Sequence, residues 1–145
     1  MTIHVPPVAA LLGLKPTGKQ LRTFDLAAEV SKGLPVDAVE RVSAMIAPDD
    51  VNFRYRIVPK ATLVRRRQTA HRLLTPEESD RVARLARLWE LALGVWKTED
   101  AAQLFLATPH MLLRGRVPRE FAAASEIGAR EVEEILGRIK YGIPT

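Results

Sequence analysis

The clearest pattern of apolar and polar positions predicts a long helix from about Thr75 to Leu93. Thr75, Pro76 and Glu78 form a capping sequence, with an N-cap threonine, a proline at the first helical position and a glutamate at the third. Apolar residues then recur on two sides, with Val82, Leu85, Ala86, Trp89 and Leu93 on one and Leu88, Leu91, Ala92 and Val95 on the other. A helix that is apolar on two sides is buried between layers or forms a subunit contact. We therefore predict that it joins the two halves of the chain.

A second strong helical pattern lies at the C-terminal end and begins near Glu126. Its apolar residues fall at i, i+3, i+4 and i+7, which places them on one face: Val132, Ile135, Leu136 and Ile139. Gly137 or Gly142 can supply the left-handed residue that ends this helix. The residues from Tyr141 to Thr145 are too few for a further element, so they form a short tail.

Two shorter helices are predicted between these long ones. Thr98 can cap the first, in which we expect Leu104 and Phe105 to point inward. Pro118 begins the second, which runs through Phe121. No long alternation of apolar and polar residues appears in the chain, so the predicted fold class is all-α.

The N-terminal half predicts a series of short helices after a proline- and glycine-containing lead-in over residues 1–22. The helices are expected from Phe24 to Lys32, from Pro35 to Ala47, in a short stretch after Asp50, and from Pro59 to about Gln68, with a turn at Tyr55 to Val58. Two short helices joined by a tight turn, the second rich in arginine, are typical of a helix-turn-helix. The turn lacks the glycine that often occurs there.

Charge is distributed unevenly between the two halves. The net charge of +5 arises because residues 1–74 hold twelve Lys or Arg against six Asp or Glu, whereas residues 75–145 hold ten against eleven. The stretch from Val51 to Pro76 contains no acidic residue and seven basic ones. Such a patch suits a polyanion such as DNA. A solvated basic helix face is the alternative interpretation.

Several kinds of chemistry are not favoured by the residues present. The chain has no cysteine, and its three histidines, at positions 4, 71 and 110, have no second ligand at metal spacing. No phosphate-binding glycine loop occurs, and adjacent carboxylates lie at predicted helix starts or faces. We therefore expect a binding protein without catalytic residues, metal or cofactor. The absence of a secretion signal and of a long apolar run predicts a cytoplasmic protein that makes no use of a membrane.

The C-terminal third carries a specific series of short motifs. They are Arg114 to Pro118, Phe121, Gly128 to Glu133, Leu136 to Ile139, and Tyr141 with Gly142. In this order and spacing they resemble the toxin-binding domain of Xre-type antitoxins that are paired with RES toxins. The resemblance extends through Leu73 to Leu93 and more loosely back to about Phe24. It implies an antitoxin that neutralises a partner RES toxin, which depletes NAD, by occluding its active site, and that represses its own operon.

The resemblance, combined with the helical pattern, predicts an Xre-like helix-turn-helix half and a helical toxin-binding half that share the central helix. The expected division is a lead-in over residues 1–22, a DNA-binding and dimerisation domain over 23–74, and a toxin-binding domain over 75–145. The predicted DNA-contacting residues are Lys60, Thr62, Arg65, Arg66 and Arg67. The predicted toxin-contacting residues are Arg114, Arg116, Arg138, Lys140, Tyr141, Gly142 and Ile143. Operator DNA would be bound by a homodimer, because one recognition helix reads only a few base pairs.

One residue departs from the pattern of Xre-like domains. Arg66 occupies a position of the recognition helix that is usually apolar, whereas Val58 and Leu63 match the buried positions. Arg66 must therefore extend out of the core, or the recognition helix is rotated from its usual pose. Two other functions stay open from the sequence: a stand-alone transcription regulator whose C-terminal half only dimerises, and a basic scaffold that binds RNA or another acidic partner.

Overall fold

The described structure is a set of helices arranged around one long central helix. The computed structural model describes residues 11–13 and 23–142, with only the backbone given for 23–26. The α-helices in this part of the chain are α1 (Thr23–Lys32), α2 (Asp37–Ile46), α3 (Arg54–Ile57), α4 (Lys60–Arg67), α5 (Pro76–Trp96), α6 (Glu99–Ala107), α7 (Pro118–Ala124) and α8 (Glu126–Lys140). Two 3₁₀ turns, Val51–Phe53 and Met111–Leu113, complete it. The fold is all-α, as predicted.

Helix α5 begins where the sequence predicts and for the expected reason. The Thr75 hydroxyl accepts a hydrogen bond from the Glu78 N–H at 3.2 Å, and the Glu78 carboxylate accepts one from the Thr75 N–H at 2.9 Å. These reciprocal bonds satisfy two N–H groups that would otherwise lack partners at the helix start. The helix continues three residues beyond the predicted Leu93, to Trp96, and its C-cap is Lys97, whose φ is +72°.

Burial along α5 confirms that it joins the two halves. Trp89 is 1% exposed, and its apolar neighbours Val82, Leu85, Ala86, Leu88 and Ala92 are also buried. The helix contacts α1, α2 and α3 of the N-terminal half and α6, α7 and α8 of the C-terminal half. The buried residues of both halves therefore form one continuous hydrophobic core.

Two hydrogen bonds hold the segment that precedes α2 next to the start of α5. The Leu74 N–H donates to the Leu34 carbonyl at 2.8 Å, and the Leu34 N–H donates to the Ser79 hydroxyl at 2.8 Å. Gly33 ends α1 with φ at +92°, and a Cβ at this position would run into the Leu74 carbonyl. Glycine is therefore required here both by backbone conformation and by the close approach.

Two local predictions are wrong. The predicted turn at Tyr55 to Val58 is instead mostly helical, since α3 runs to Ile57, and the chain turns at Val58 and Pro59. Leu104 was expected inside, yet it is 69% exposed, whereas Leu106 is fully buried. Leu106 shares the inward face of α6 with Ala102, four residues earlier, so the short helix is rotated relative to the prediction.

Part of the predicted lead-in also contributes to the core. Leu11 and Leu12 are buried in it. The remainder of residues 1–22 lies outside the described residues.

Candidate functional site

The predicted recognition helix α4 is anchored by a few apolar residues. Pro59 sits at its N-cap with an extended ψ of 145°, which lets the chain turn sharply after the buried Val58. Leu63 is the buried residue of α4, so it fixes which side of the helix faces the core. The solvent-exposed side of α4 carries Ala61, Val64, Arg65 and Gln68, and Lys60 is exposed at the N-terminal end of the helix. Thr62 is half-buried at the edge of this side.

The Arg66 side chain is turned toward the protein rather than toward this exposed side. Its Nε donates to the Glu78 carboxylate at 3.0 Å, the same carboxylate that caps α5. Burial tends to raise the pKa of Glu78, but the hydrogen bonds from Thr75 and Arg66 outweigh it and hold the pKa below its ordinary value. A charged residue at this usually apolar position is thus accommodated by an ion pair with the central helix.

Glu40 of α2 forms ion pairs with two more arginines of the basic stretch. Its carboxylate pairs with Arg54 from α3 and with Arg67 from α4. Arg56 of α3 forms an ion pair with Glu120 of α7 at 2.7 Å. Lys60, Arg65 and Arg72 have no carboxylate partner among the side chains that the structure describes. Among the predicted DNA-contacting residues, Lys60 and Arg65 therefore point outward, whereas ion pairs within the protein hold Arg66 and Arg67.

The junction between the helix-turn-helix and α7 is built around Arg119. This arginine is 9% exposed and donates to both carboxylate oxygens of Asp49, at 2.7 and 3.0 Å. Its guanidinium also lies 5.8 Å from the centre of the Phe53 ring. The bidentate contact raises the pKa of Arg119 and holds the pKa of Asp49 below its usual range. No local pattern predicts this pair, because its partners are 70 residues apart along the chain.

The predicted toxin-contacting arginines 114 and 116 lie on a tightly folded loop. His110 closes the loop: its carbonyl accepts from the Gly115 N–H at 2.9 Å, and its N–H donates to the Arg116 carbonyl at 3.1 Å. Arg114 adopts a left-handed conformation with φ at +56°. The Arg116 guanidinium lies 5.4 Å from the centre of the Phe121 ring. Hydrogen bonds within the loop therefore fix both arginines on an exposed edge.

The remaining predicted toxin contacts lie at the end of α8. Arg138 pairs with Glu134 at 3.4 Å, and the Lys140 ammonium lies 5.7 Å from the centre of the Tyr141 ring. Tyr141 is 75% exposed. Gly142 has φ at +69°, so it and not Gly137 is the left-handed residue that follows the helix. Ile143 lies outside the described residues.

Two surface grooves beside α8 show which of the predicted toxin-contacting residues lie on the same side of this helix. A small groove of about 130 Å³ is lined by Leu112 of the loop and by Ile135 and Arg138 of α8. Another, of about 470 Å³, lies between α5 and α8 and is lined by Arg87, Glu90 and Lys140 among others. Arg138 therefore shares the loop side of α8, whereas Lys140 is on the side of α5.

Two general properties of the described residues bear on the function. They contain no group of three or more histidine or carboxylate side chains placed to hold a metal ion. None of their helices combines the length and the apolar character needed to cross a bilayer.

Two known antitoxin domains match most of the chain. Residues 25–87 match the antitoxin Xre-like helix-turn-helix domain, and residues 92–142 match the antitoxin Xre/MbcA/ParS C-terminal toxin-binding domain. The chain thus combines an Xre-like helix-turn-helix domain with a C-terminal domain of the antitoxin toxin-binding class. It belongs to the Xre-type antitoxin family. The antitoxin Xre of Yersinia enterocolitica (serotype O:8 / biotype 1B) is a relative that is 29% identical over 116 residues, which cover 79% of this chain and 77% of that protein.

Proposed function

We propose that this antitoxin neutralises a RES-type toxin, which depletes NAD, by covering the toxin's active site. The observation that carries the proposal is the end of α8, where an exposed Tyr141 precedes a left-handed Gly142 at the limit of the matched toxin-binding segment. An exposed aromatic side chain next to a backbone turn is suited to enter a concave site on a partner. Ile143 would follow it into the same site.

The basic residues of the toxin-binding half would set the orientation of the complex. Arg114 and Arg116 present their charge from one edge, and Arg138 and Lys140 present theirs from the end of α8. Charged groups at the rim of an interface mainly affect the rate of association, whereas desolvated pairs affect its lifetime. We expect Arg138, which shares a groove with Leu112, to be the more desolvated of these residues.

Co-expression tests the active-site proposal directly. The product of the neighbouring gene is expressed with the full chain, and separately with a chain stopped after Lys140, while cellular NAD and growth are measured. We expect the full chain to preserve NAD and the shortened chain to fail. Tyr141→Phe is the matched control, because it keeps the exposed ring and should protect.

The possible outcomes separate the parts of the proposal. Protection by both chains would keep the antitoxin but move the blocking surface from the tail to the helices. Failure of both chains to protect, when each still binds the toxin, would contradict occlusion of the active site. A partner whose expression leaves NAD unchanged would contradict the assignment to a RES toxin.

We further propose that the N-terminal half binds the operator of its own operon as a homodimer. Lys60 and Arg65 would contact DNA directly, with Thr62 at the edge of the contact. Arg66 and Arg67 would add positive charge beside the contact, since Glu78 and Glu40 hold their side chains away from the exposed side of α4. Each phosphate contact that is lost should lower the salt slope of binding by about 0.9. Changing Arg65 and Arg67 together to Ala should therefore weaken binding and flatten the salt dependence, and an unchanged slope would exclude this patch as the DNA surface.

A further inference from the structure

The exposed side of α4 has an apolar centre with polar edges. An α-helix advances about 100° per residue, so with Leu63 fixed inward, Ala61 and Val64 lie on the outward side. Lys60 and Gln68 lie one turn before and one turn after Val64, and Arg65 lies next to it. Arg66 and Arg67 are drawn away from this side by Glu78 and Glu40. Two methyl-bearing side chains are thus presented between groups that donate hydrogen bonds.

Val64 is not part of the hydrophobic core of the described residues. It is 45% exposed, whereas the neighbouring Leu63 of α4 is 1% exposed. The basic residues around it and the lack of any acidic residue from Val51 to Pro76 favour a polyanion over a neutral apolar partner. On a polyanion that is double-stranded DNA, the apolar group available in the major groove is the 5-methyl of thymine.

We propose that Val64, with Ala61 beside it, packs against the 5-methyl group of a thymine and so selects a T·A pair at one position of each half-site. The small Ala61 allows the helix to approach the groove closely, while Arg65 and Gln68 are placed to read the neighbouring base edges. Arginine pairs well with guanine, and glutamine with adenine. This proposal rests on the DNA binding proposed above and names the residue that supplies its specificity.

Replacement of thymine by deoxyuridine removes only the methyl group and so tests the proposal. The full wild-type chain first selects its best duplexes from a random double-stranded pool. Each thymine of a selected duplex is then replaced by deoxyuridine, and affinity is measured by fluorescence anisotropy at fixed salt. At one thymine per half-site we expect affinity to fall about fourfold, the effect of losing one buried methyl.

Two variants distinguish a role of Val64 from a general effect of deoxyuridine. Val64→Ala should bind the thymine and deoxyuridine duplexes equally. Val51→Ala, another exposed valine of the same half, should keep the fourfold difference of the wild type.

The remaining outcomes contradict the proposal in different ways. If the wild type binds a defined sequence but no deoxyuridine substitution weakens it, Val64 does not read thymine although the chain binds DNA. If Val64→Ala changes the oligomeric state and leaves base preference intact, Val64 is a contact between copies of the chain. If the wild type selects and binds no duplex, the proposed DNA binding fails along with the thymine contact.

Discussion

At the scale of single residues, Arg119 is the side chain that most directly ties the helix-turn-helix to the toxin-binding half. Its guanidinium is almost fully buried, yet both of its hydrogen bonds to Asp49 reach a carboxylate that is 61% exposed. If the pair is broken, water can therefore hydrate the Asp49 carboxylate, but it cannot reach most of the Arg119 side chain. The cost of breaking the pair arises mainly from leaving a buried cation without its partner.

Asp49→Asn should lower the free energy of unfolding at pH 7 by about 1–2 kcal/mol, a value reduced from that of a fully buried pair because Asp49 is exposed. Because pairing lowers the pKa of Asp49 in the folded state, the stabilisation is complete above the unfolded-state pKa of about 4. It is lost as the pH falls through the lower folded-state pKa. Urea unfolding at pH 7 and pH 3 should show a difference between wild type and variant that shrinks in acid.

A double-mutant cycle attributes this effect to the pair itself. Arg119→Met keeps an unbranched apolar stem and removes the charge, so adding Asp49→Asn to it should cost little at either pH. A cost for Asp49→Asn that stays the same in the Arg119→Met background would contradict the pairing.

Contacts within one helix turn can be predicted from the sequence, whereas ion pairs between helices cannot. The caps by Thr75 and Thr98 were predicted correctly, because a cap and the N–H group that it satisfies are three residues apart. Arg66 with Glu78 and Arg119 with Asp49 were not foreseen, since no local pattern links partners from different helices. The ion pair of Arg66 depends on the position of α4 beside the start of α5, which the tertiary fold determines.

At the scale of elements, the contact between α7 and α8 depends on a close approach at Gly128. This glycine lies in the first turn of α8, where its N–H donates to the Ser125 hydroxyl at 2.9 Å. A Cβ here would overlap the backbone carbonyl of Phe121. Backbone cannot move aside as a flexible side chain can, so α7 and α8 would have to separate.

Gly128→Ala should therefore destabilise the protein by about 1–3 kcal/mol, even though alanine favours the helix. Gly137→Ala in the same helix is the matched control, because nothing lies within 4 Å of a Cβ there. This control should stabilise the protein by about 0.5–1 kcal/mol. Thermal and urea unfolding of both variants measure the two effects, and a stabilising Gly128→Ala would show that the two helices do not require this approach.

The length of an element decides how well its inward face can be predicted. In α8 a stripe of four apolar residues fixes the face, and Val132, Ile135 and Leu136 are buried as expected. In α6 the apolar residues Leu104, Phe105 and Leu106 are consecutive in the sequence. A helix of nine residues has too few apolar repeats to predict which of the three faces the core. Leu106 is buried because contacts with the rest of the core decide the rotation of α6.

At the scale of the whole molecule, the two functional halves share a single core. Leu34 from the first half and Leu136 from the second are both fully buried in the same cluster, with Trp89 of α5 also in it. Gln103 of α6 adds a polar link by donating to the Met45 carbonyl at 2.8 Å. The two family matches meet inside α5, so the boundary between functions is not a boundary between cores.

We therefore expect the chain to unfold in one cooperative transition. Far-UV circular dichroism reports the helices of both halves, and tryptophan fluorescence reports Trp89 and Trp96 in α5. The two urea unfolding curves should coincide. Leu34→Ala and Leu136→Ala form a matched pair, because each removes a fully buried leucine from a different half and should cost about 2–5 kcal/mol. Both should move the whole transition to lower urea, as seen by both probes. Two independent domains would instead give two transitions, with each substitution shifting only the one that contains it.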